Sequence, residues 1–319
     1  MAVRRRLPRR IAPRARLMRV WALVGPTAVG KSSTAVALAE RTRAEIVSID
    51  SMQVYRGMDV GTDKATPEMR ARVRHHLLDI RDPDHDLTVA EFQQVGRSAI
   101  EEIHAGGRVP LLVGGSGLYL RAVVDDLEFP PRSPEVRGSL ESRAEEQGAE
   151  ALYGELQRLD PVAAARIEPG NMRRIVRALE VIELTDRPFS ANTAWGRYES
   201  RYDLRIAGLE LPRHLLYERI ERRVDEMLER GLVEEAIAVA ARGLGPTARQ
   251  ALGYKQILDA APGAGPDEVR ADIIRATKRF ARRQLSWFRA DPRLIWFDAS
   301  DKGLLDALTS FFSAEGAVP

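Results

Sequence analysis

Short apolar runs alternate with longer amphipathic stretches in the first 125 residues of the chain. The runs at residues 20–24, 45–50 and 109–113 are rich in aliphatic and β-branched side chains, which is typical of buried strands. Between them, residues 32–41 and 89–105 carry apolar side chains at helical spacing. Strands that alternate with helices are typical of βαβ units, so we predict an α/β fold with a parallel sheet.

The pattern of apolar positions changes after residue 125. Residues 135–186 show helical periodicity, many charges and no convincing strand. Apolar runs at 204–211 and 294–297 are typical of strands that return to the sheet, whereas 213–242 and 267–290 are amphipathic in the manner of helices.

These two patterns together predict the domain organisation. An α/β core comprises residues 18–125 and 200–319, with helices towards its carboxyl end, and a helical insertion domain occupies residues 126–199. Residues 1–17 contain seven arginines and no acidic residue. Three interpretations of this basic segment remain open: a disordered extension, a start site placed upstream of a true start at Met18, and a mitochondrial presequence.

Composition excludes several classes of chemistry. Hydrophobic residues make up 44% and charged residues 30% of the 319 residues, which is ordinary for a globular protein. The absence of cysteine excludes disulfides, thiol catalysis and cysteine-ligated zinc.

The net charge of +3 comes from residues 1–17, since the rest of the chain has 42 basic and 46 acidic residues. A nucleic-acid surface must therefore be a local patch. No apolar run is long enough to span a bilayer, so we expect no membrane partner. The absence of cysteine fits a reducing compartment, and we expect a cytoplasmic protein. We also expect a monomer.

One glycine-rich segment matches the phosphate-binding P-loop at every fixed position. Its glycines let backbone N–H groups turn towards phosphate oxygens, and the following helix directs its positive dipole end at them. Lys31 adds a cation, and the hydroxyl of Ser32 is placed to bind Mg²⁺. A strand precedes the segment and a helix follows it, as the motif requires. The predicted phosphate-binding residues are Gly25, Pro26, Thr27, Ala28, Val29, Gly30, Lys31 and Ser32.

The reaction depends on which acid lies opposite this loop. A hydrolytic P-loop ATPase needs a strand that ends in an aspartate to hold magnesium. The run at 109–113 ends in two glycines instead, and Asp79 is a weak substitute. Asp50 ends the strand at 45–50, and the carboxyl ends of parallel strands line the ligand crevice. We therefore expect Asp50 to face the P-loop across a cleft. Hydrolase, kinase and other transferase remain open on this basis.

Seven segments occur in an order that is specific to one family. They are GPTAVGKS at 25–32, DSMQVYRGMDVGT at 50–62, HLLD at 76–79, GGSGLY at 114–119, DPVAA at 160–164, RRIVRALEV at 173–181 and QALGYK at 250–255. In sequence and order they resemble tRNA dimethylallyltransferases, the IPP transferase family, over roughly residues 20–298. The segment at 50–62 is far more specific than the P-loop.

This resemblance implies a P-loop NTPase-like core and a transfer that is not phosphoryl transfer. A dimethylallyl group moves from dimethylallyl diphosphate to N6 of adenosine 37, on the 3′ side of the anticodon in tRNA, and diphosphate is released. The P-loop then holds the leaving group, with Mg²⁺ as cofactor. The implied catalytic residues are Asp50 as the base, Thr27 near the bridging oxygen and Arg223 on the diphosphate.

The resemblance also implies contacts with the tRNA anticodon loop. At Ser116 many relatives carry threonine, which keeps the hydroxyl. Residues 275–289 hold six basic and no acidic residues. We expect those cations to reach phosphates, and the rings of Phe280, Trp287 and Phe288 to pack inward. The residues implied to bind tRNA are Asp50, Ser51, Met52, Gln53, Ser116, Arg137, Arg173, Arg174, Ile175, Val176, Arg177, Gln250, Gly253, Tyr254 and Lys255.

Three other functions are considered against this one. A nucleotide or metabolite kinase would use Asp50 as base and the insertion as a lid, and it would require ATP. A non-catalytic RNA-binding protein would keep its function without Asp50. Prenylation of free adenine nucleotides would not need the basic clusters at 173–177 and 275–289. Whether the P-loop also binds ATP stays open.

Overall fold

Residues 17–191 and 196–314 are described by a computed structural model of the chain. The basic segment predicted at residues 1–17 lies, apart from Leu17, outside the described residues. None of the helices in the described part is both long and apolar enough to cross a membrane.

Six strands form one sheet in the order β3-β2-β4-β1-β5-β6, and every neighbouring pair is parallel. The parallel α/β class and five of the strands are confirmed. The other, β3, has only two residues, too few to produce a periodic pattern. The strands are β1 (Arg19–Val24), β2 (Glu45–Ser48), β3 (His75–His76), β4 (Pro110–Gly114), β5 (Asp203–Glu210) and β6 (Leu294–Asp298).

Thirteen α-helices are present in the described residues. The amphipathic stretch predicted at 213–242 is two helices, because Gly231 adopts a left-handed conformation (φ +90°) between them. The helices are α1 (Lys31–Thr42), α2 (Pro67–Arg72), α3 (Val89–Ala105), α4 (Gly117–Val124), α5 (Pro134–Gln147), α6 (Ala149–Leu159), α7 (Pro161–Ala164), α8 (Met172–Thr185), α9 (Arg213–Glu229), α10 (Leu232–Ala241), α11 (Tyr254–Leu258), α12 (Pro266–Arg289) and α13 (Leu304–Ser313).

Separate hydrophobic clusters cover the two faces of the sheet. Side chains of a strand alternate between faces, and β1 shows this directly. Val20, Ala22 and Val24 belong to one cluster, and Trp21 and Leu23 belong to the other. All five are almost fully buried. A strand buried on both faces must be apolar throughout, which is why β1 was readily predicted.

Helices α5 to α8 lie between α4 and β5 in the chain and enclose a hydrophobic cluster of their own. Leu152, Leu156 and Ile175 are fully buried members of this cluster. The helical character of this stretch agrees with the sequence pattern. The exact domain boundaries at residues 126 and 199 stay a prediction.

A single carboxylate fastens the segment after β2 to the carboxyl-terminal helices. Glu235 on α10 accepts hydrogen bonds from the backbone N–H groups of Asp59, Val60 and Gly61, at 2.9 to 3.0 Å. It also accepts one from the hydroxyl of the buried Tyr254. Burial and this carboxylate raise the pKa of Tyr254 above its ordinary value, so the hydroxyl stays a donor. These hydrogen bonds hold in place one wall of the cleft described below.

We expect Glu235→Ala to destabilise the protein by about 3 kcal/mol, because several backbone donors lose a charged acceptor at once. The free energy of unfolding in urea measures this. The neighbouring Glu234→Ala is the matched control, since Glu234 is exposed, and it should change stability by less than about 0.5 kcal/mol. Equal stabilities of the two variants would contradict the role given to Glu235.

Candidate active site

The P-loop follows the central strand β1 and leads directly into α1. Gly25 has φ +148°, and a Cβ there would lie 2.5 Å from the carbonyl oxygen of Leu209 on the neighbouring strand. Only glycine fits this position. The ammonium group of Lys31 donates to the carbonyl oxygen of Pro26 at 2.7 Å. Arg219 on α9 donates to the carbonyl oxygen of Val29 at 3.1 Å, so it supports the loop from behind.

A buried glutamine, which sequence analysis missed, joins the loop to α12. The side-chain oxygen of Gln284 accepts from the backbone N–H of Thr27 at 2.9 Å, and its amide nitrogen donates to the carbonyl oxygen of Gly115 at 2.9 Å. The P-loop and the end of β4 are thus held together by one side chain. A polar residue in a buried position of an amphipathic helix is the one signal that could have identified it.

Two adjoining cavities lie at the carboxyl ends of the strands. The smaller, about 80 Å³, is lined by P-loop residues including Lys31 and Ser32. The larger, about 440 Å³, lies beside α4, α9 and α12. Thr27, Asp50 and Arg223 line both cavities. The three residues predicted to be catalytic are therefore brought together where the two cavities meet.

Asp50 lies two residues beyond the end of β2, and it does share a cleft with the P-loop. One of its carboxylate oxygens accepts from the backbone N–H of Met52 at 2.8 Å, which fixes the side chain at the turn. The position of this acid relative to the loop follows from the parallel sheet, in which β2 and β1 flank β4.

Two cations, Lys31 and Arg223, and two carboxylates, Asp50 and Asp63, line the smaller cavity. Burial and the neighbouring Arg223 guanidinium lower the pKa of Lys31 to about 7, while the carboxylates of Asp50 and Asp63 act in the opposite direction. A partly buried cation whose pKa is lowered gains most from a ligand that carries negative charge.

The larger cavity has an apolar wall with two rings. The expectation that Phe280, Trp287 and Phe288 all pack inward is wrong for the first two, which line this cavity, whereas Phe288 is buried. Trp287 lies against Gly117, where a Cβ would be 2.0 Å from the indole. Two of the three rings of α12 therefore face the cavity, and the third faces the core.

Six of the positions implied to bind tRNA line the larger cavity. They are Asp50, Ser51, Met52, Ser116, Gln250 and Gly253.

Three further positions have structural partners. The amide of Gln53 donates to the carbonyl oxygens of Thr62 and Asp63, at 3.1 and 3.2 Å. Lys255 is paired with Asp259. The side chain of Tyr254 is fully buried, so it cannot itself reach RNA, and we correct that expectation.

The insertion residues fall into two groups. Arg173 and Arg174 are exposed on α8. Ile175 and Val176 are buried in the helical cluster, so the expectation that their side chains contact tRNA is wrong. An amphipathic helix must turn some positions of any five-residue segment inward. Arg177 is directed back onto the chain, where it donates to the carbonyl oxygens of residues 130 and 131 at 2.9 Å.

Arg137, the other insertion arginine implied to bind tRNA, is ion-paired within its own helix to Glu141 at 2.9 Å. A cavity of about 590 Å³ lies between the insertion and the core, with Arg132, Arg174 and Arg177 among its lining residues. Leu118 lines both this cavity and the larger cavity of the cleft.

Donors for Mg²⁺ are few on the protein itself. Among the described residues, no group of three or more histidines, aspartates or glutamates could hold an ion. Asp79 was the weak candidate for an acid that holds Mg²⁺. Its carboxylate is already paired with Lys64 and Arg70, at 2.7 and 2.8 Å, which removes this candidate. The exposed hydroxyl of Ser32 lines the smaller cavity. This fits Mg²⁺, which commonly takes one or two protein oxygens and completes its shell with phosphate and water.

The fold and the cleft together define a class of protein. A P-loop at the centre of a parallel sheet adjoins a partly apolar cavity, with a carboxylate where they meet, as in P-loop transferases that bind a phosphorylated substrate beside an acceptor. The sequence model of the IPP transferase family matches residues 53–291, about three quarters of the chain. The chain belongs to the IPP transferase family.

Relatives in sequence and in structure agree with this assignment. The chain is 55% identical over 281 residues to a tRNA dimethylallyltransferase of Streptomyces coelicolor, covering 87% of this chain and 89% of that protein. It is 53% identical to one of Thermobifida fusca, covering 88% and 91%.

Two solved structures are similar as well. The tRNA isopentenylpyrophosphate transferase of Bacillus halodurans has a TM-score of 0.69 at 42% identity, covering 92% of this chain and 95% of that one. A eukaryotic dimethylallyltransferase acting on tRNA has a TM-score of 0.75 at 25% identity, covering 91% and 76%.

The lowered pKa of Lys31 predicts a stability difference that depends on pH. Below pH 7 the lysine is protonated in both folded and unfolded states, so the folded, ligand-free protein bears the full unfavourable buried charge. Between 7 and 10.5 only the unfolded state holds the proton, and wild-type stability rises relative to Lys31→Met. We expect the variant to melt roughly 2–4 °C higher at pH 6, with a smaller gap at pH 9.5.

Thermal unfolding without ligand across this pH range measures the difference. A Lys31→Met variant that is less stable than wild type at every pH would show that the loop bears no such charge penalty. Lys302→Met serves as the control, because this lysine is exposed.

Proposed function

We propose that the protein transfers a dimethylallyl group from dimethylallyl diphosphate to N6 of adenosine 37 in tRNA, beside the anticodon, and releases diphosphate. The observation that carries this proposal is the pair of adjoining cavities. One offers a cationic cradle for the diphosphate and the other an apolar wall for the five-carbon group. The names of its relatives support the same substrate.

The diphosphate end of the substrate fits the P-loop. When the allylic C–O bond breaks, negative charge collects on the departing diphosphate, and groups that stabilise this charge accelerate the step. Lys31, Ser32 and Arg223 line this cavity. Mg²⁺, with Ser32 as its protein ligand, supplies further charge stabilisation when bound.

The acceptor end requires a base, and we assign this role to Asp50, which lines both cavities. The lone pair of N6 forms the new C–N bond, the diphosphate leaves with the C–O electrons, and a proton must leave the nitrogen. The Asp50 carboxylate takes up this proton, which adds roughly 10²–10⁴-fold in rate in comparable general-base steps. Thr27 lines both cavities, and we assign its hydroxyl to the bridging oxygen.

We propose a monomeric catalyst that acts on tRNA in the cytoplasm. The apolar wall of the larger cavity, which includes Ile220, Val224 and Met227, favours a hydrocarbon group over the polar acceptor of a small-molecule kinase. ATP is not a reactant in this proposal.

The decisive experiment is incubation with dimethylallyl diphosphate, Mg²⁺ and undermodified tRNA, followed by mass spectrometry of the nucleosides. We expect N6-dimethylallyl adenosine to form without ATP. Asp50→Asn should lower the rate at least ~10²-fold, while inorganic diphosphate still binds. Product on free adenosine monophosphate but not on tRNA would favour the free-nucleotide alternative. Phosphorylation with ATP and no prenyl transfer would overturn the proposal in favour of a kinase.

The outer face of α12 is the surface that we propose for tRNA phosphates. Arg279 and Arg282 are exposed, and neither has a carboxylate within ion-pair distance among the described residues. Arg283 lies beside them and lines the larger cavity. Unpaired cations on this outer face are available to displace counterions from RNA.

We expect the double variant Arg279→Gln/Arg282→Gln to weaken tRNA binding. The slope of log affinity against log salt should fall by about 1.4 to 1.8, or 0.7 to 0.9 for each lost phosphate contact. Arg275→Gln on the same helix is the control, since this arginine is already paired with Asp272. Fluorescence titrations of labelled tRNA at several salt concentrations measure the slopes, and identical slopes for both variants would exclude this surface.

A further inference from the structure

Asp63 is an acid in the wall of the smaller cavity that neither the fold nor the proposed reaction uses. It follows Thr62 in the segment after β2 and lines the same cavity as Lys31 and Ser32. Its carboxylate lies 3.4 Å from the guanidinium of Arg223 and 3.8 Å from that of Arg230. The arginine that we assign to the diphosphate is thus already paired in the ligand-free structure.

The backbone around this acid is held from both sides. The amide of Gln53 donates to the carbonyl oxygens of Thr62 and Asp63. The next residue, Lys64, is buried, and its ammonium group donates to the carbonyl oxygen of Tyr55 at 2.7 Å. Asp63 itself has φ +49°, a left-handed conformation that aspartate and asparagine tolerate better than most residues. The carboxylate is therefore placed by the chain and not left to a mobile loop.

A carboxylate in this position repels the anionic ligand that we propose for the cavity. Diphosphate and Asp63 carry the same sign of charge, and both attract Arg223. Like charges close together in a partly enclosed site weaken binding. Asp63 has a second partner in Arg230, so it can release Arg223 and still remain paired.

We propose that Asp63 is a positioning residue, which holds Arg223 in the cleft while diphosphate is absent and yields it when diphosphate arrives. This inference rests on the proposed function, since it takes diphosphate as the ligand of the P-loop. The exchange keeps the arginine at the site between turnovers. It also limits how tightly the product diphosphate is retained, because release restores the Asp63–Arg223 pair.

Calorimetric titration with inorganic diphosphate and Mg²⁺ tests the proposal on the full-length protein. Asp63→Asn keeps the shape and tolerates the backbone conformation, and we expect it to bind diphosphate about tenfold more tightly. A substitution that damages the structure normally weakens binding. Tighter binding by Asp63→Asn would therefore distinguish the release of Arg223 from structural damage. Glu226→Gln is the matched control: it removes the partner of Arg222 on the same helix, both exposed, and should bind as wild type does.

A double-mutant cycle shows whether Asp63 acts through Arg223. In an Arg223→Gln background, Asp63→Asn should change diphosphate affinity by less than threefold, because the group that it releases is gone. The same tenfold gain in both backgrounds would overturn the exchange and leave only general repulsion. Unchanged or weaker binding by Asp63→Asn alone would also overturn it.

The outcome for wild type separates this inference from the proposed function. If wild type binds no diphosphate and Lys31→Met changes nothing, the proposed function fails. If wild type binds diphosphate through Lys31 but Asp63→Asn does not tighten it, only the present inference fails. Thermal unfolding of each variant confirms that the compared proteins are folded.

Discussion

The whole cleft depends on the central position of β1 in a parallel sheet. Because β4 and β5 flank β1, the loops that follow these strands meet at one edge. The P-loop lies close to the neighbouring strand there, since a Cβ at Gly25 would be 2.5 Å from the carbonyl oxygen of Leu209. Gln284 attaches α12 to this loop. Thr27, Asp50 and Arg223 all line the cavities beside it.

Charge balance is the second constraint on the cleft. Lys31 and Arg223 are brought close together to receive an anion, and in its absence they repel each other. Asp50 and Asp63 compensate part of that repulsion. One acid is proposed to serve the acceptor nitrogen, and the other to keep an arginine in place. These charges suit a ligand that is anionic when it binds and is released as an anion.

Two polar side chains, one glutamate and one glutamine, connect separate segments around this cleft. Glu235 joins residues 59–61 to the carboxyl-terminal helices, and Gln53 supports the turn that carries Asp63. The aromatic residues of α12 illustrate the same dependence on distant partners. Helical spacing alone suggested that Trp287 packs inward, yet Gly117 on α4 leaves a space that admits its ring at the cleft.

The sequence alone was sufficient for the α/β class, five strands, the P-loop and the acid opposite it, because these depend on local periodicity and on short motifs. It was also sufficient for the family, through long segments with residues of specific chemistry. Only the tertiary structure decided which side chains of those segments face the cleft. Ile175, Val176 and Tyr254 are buried, while Gln284 and Asp63 enter the site from segments with no recognisable motif. Burial and ion pairing depend on residues far apart in the chain, and local pattern carries no record of them.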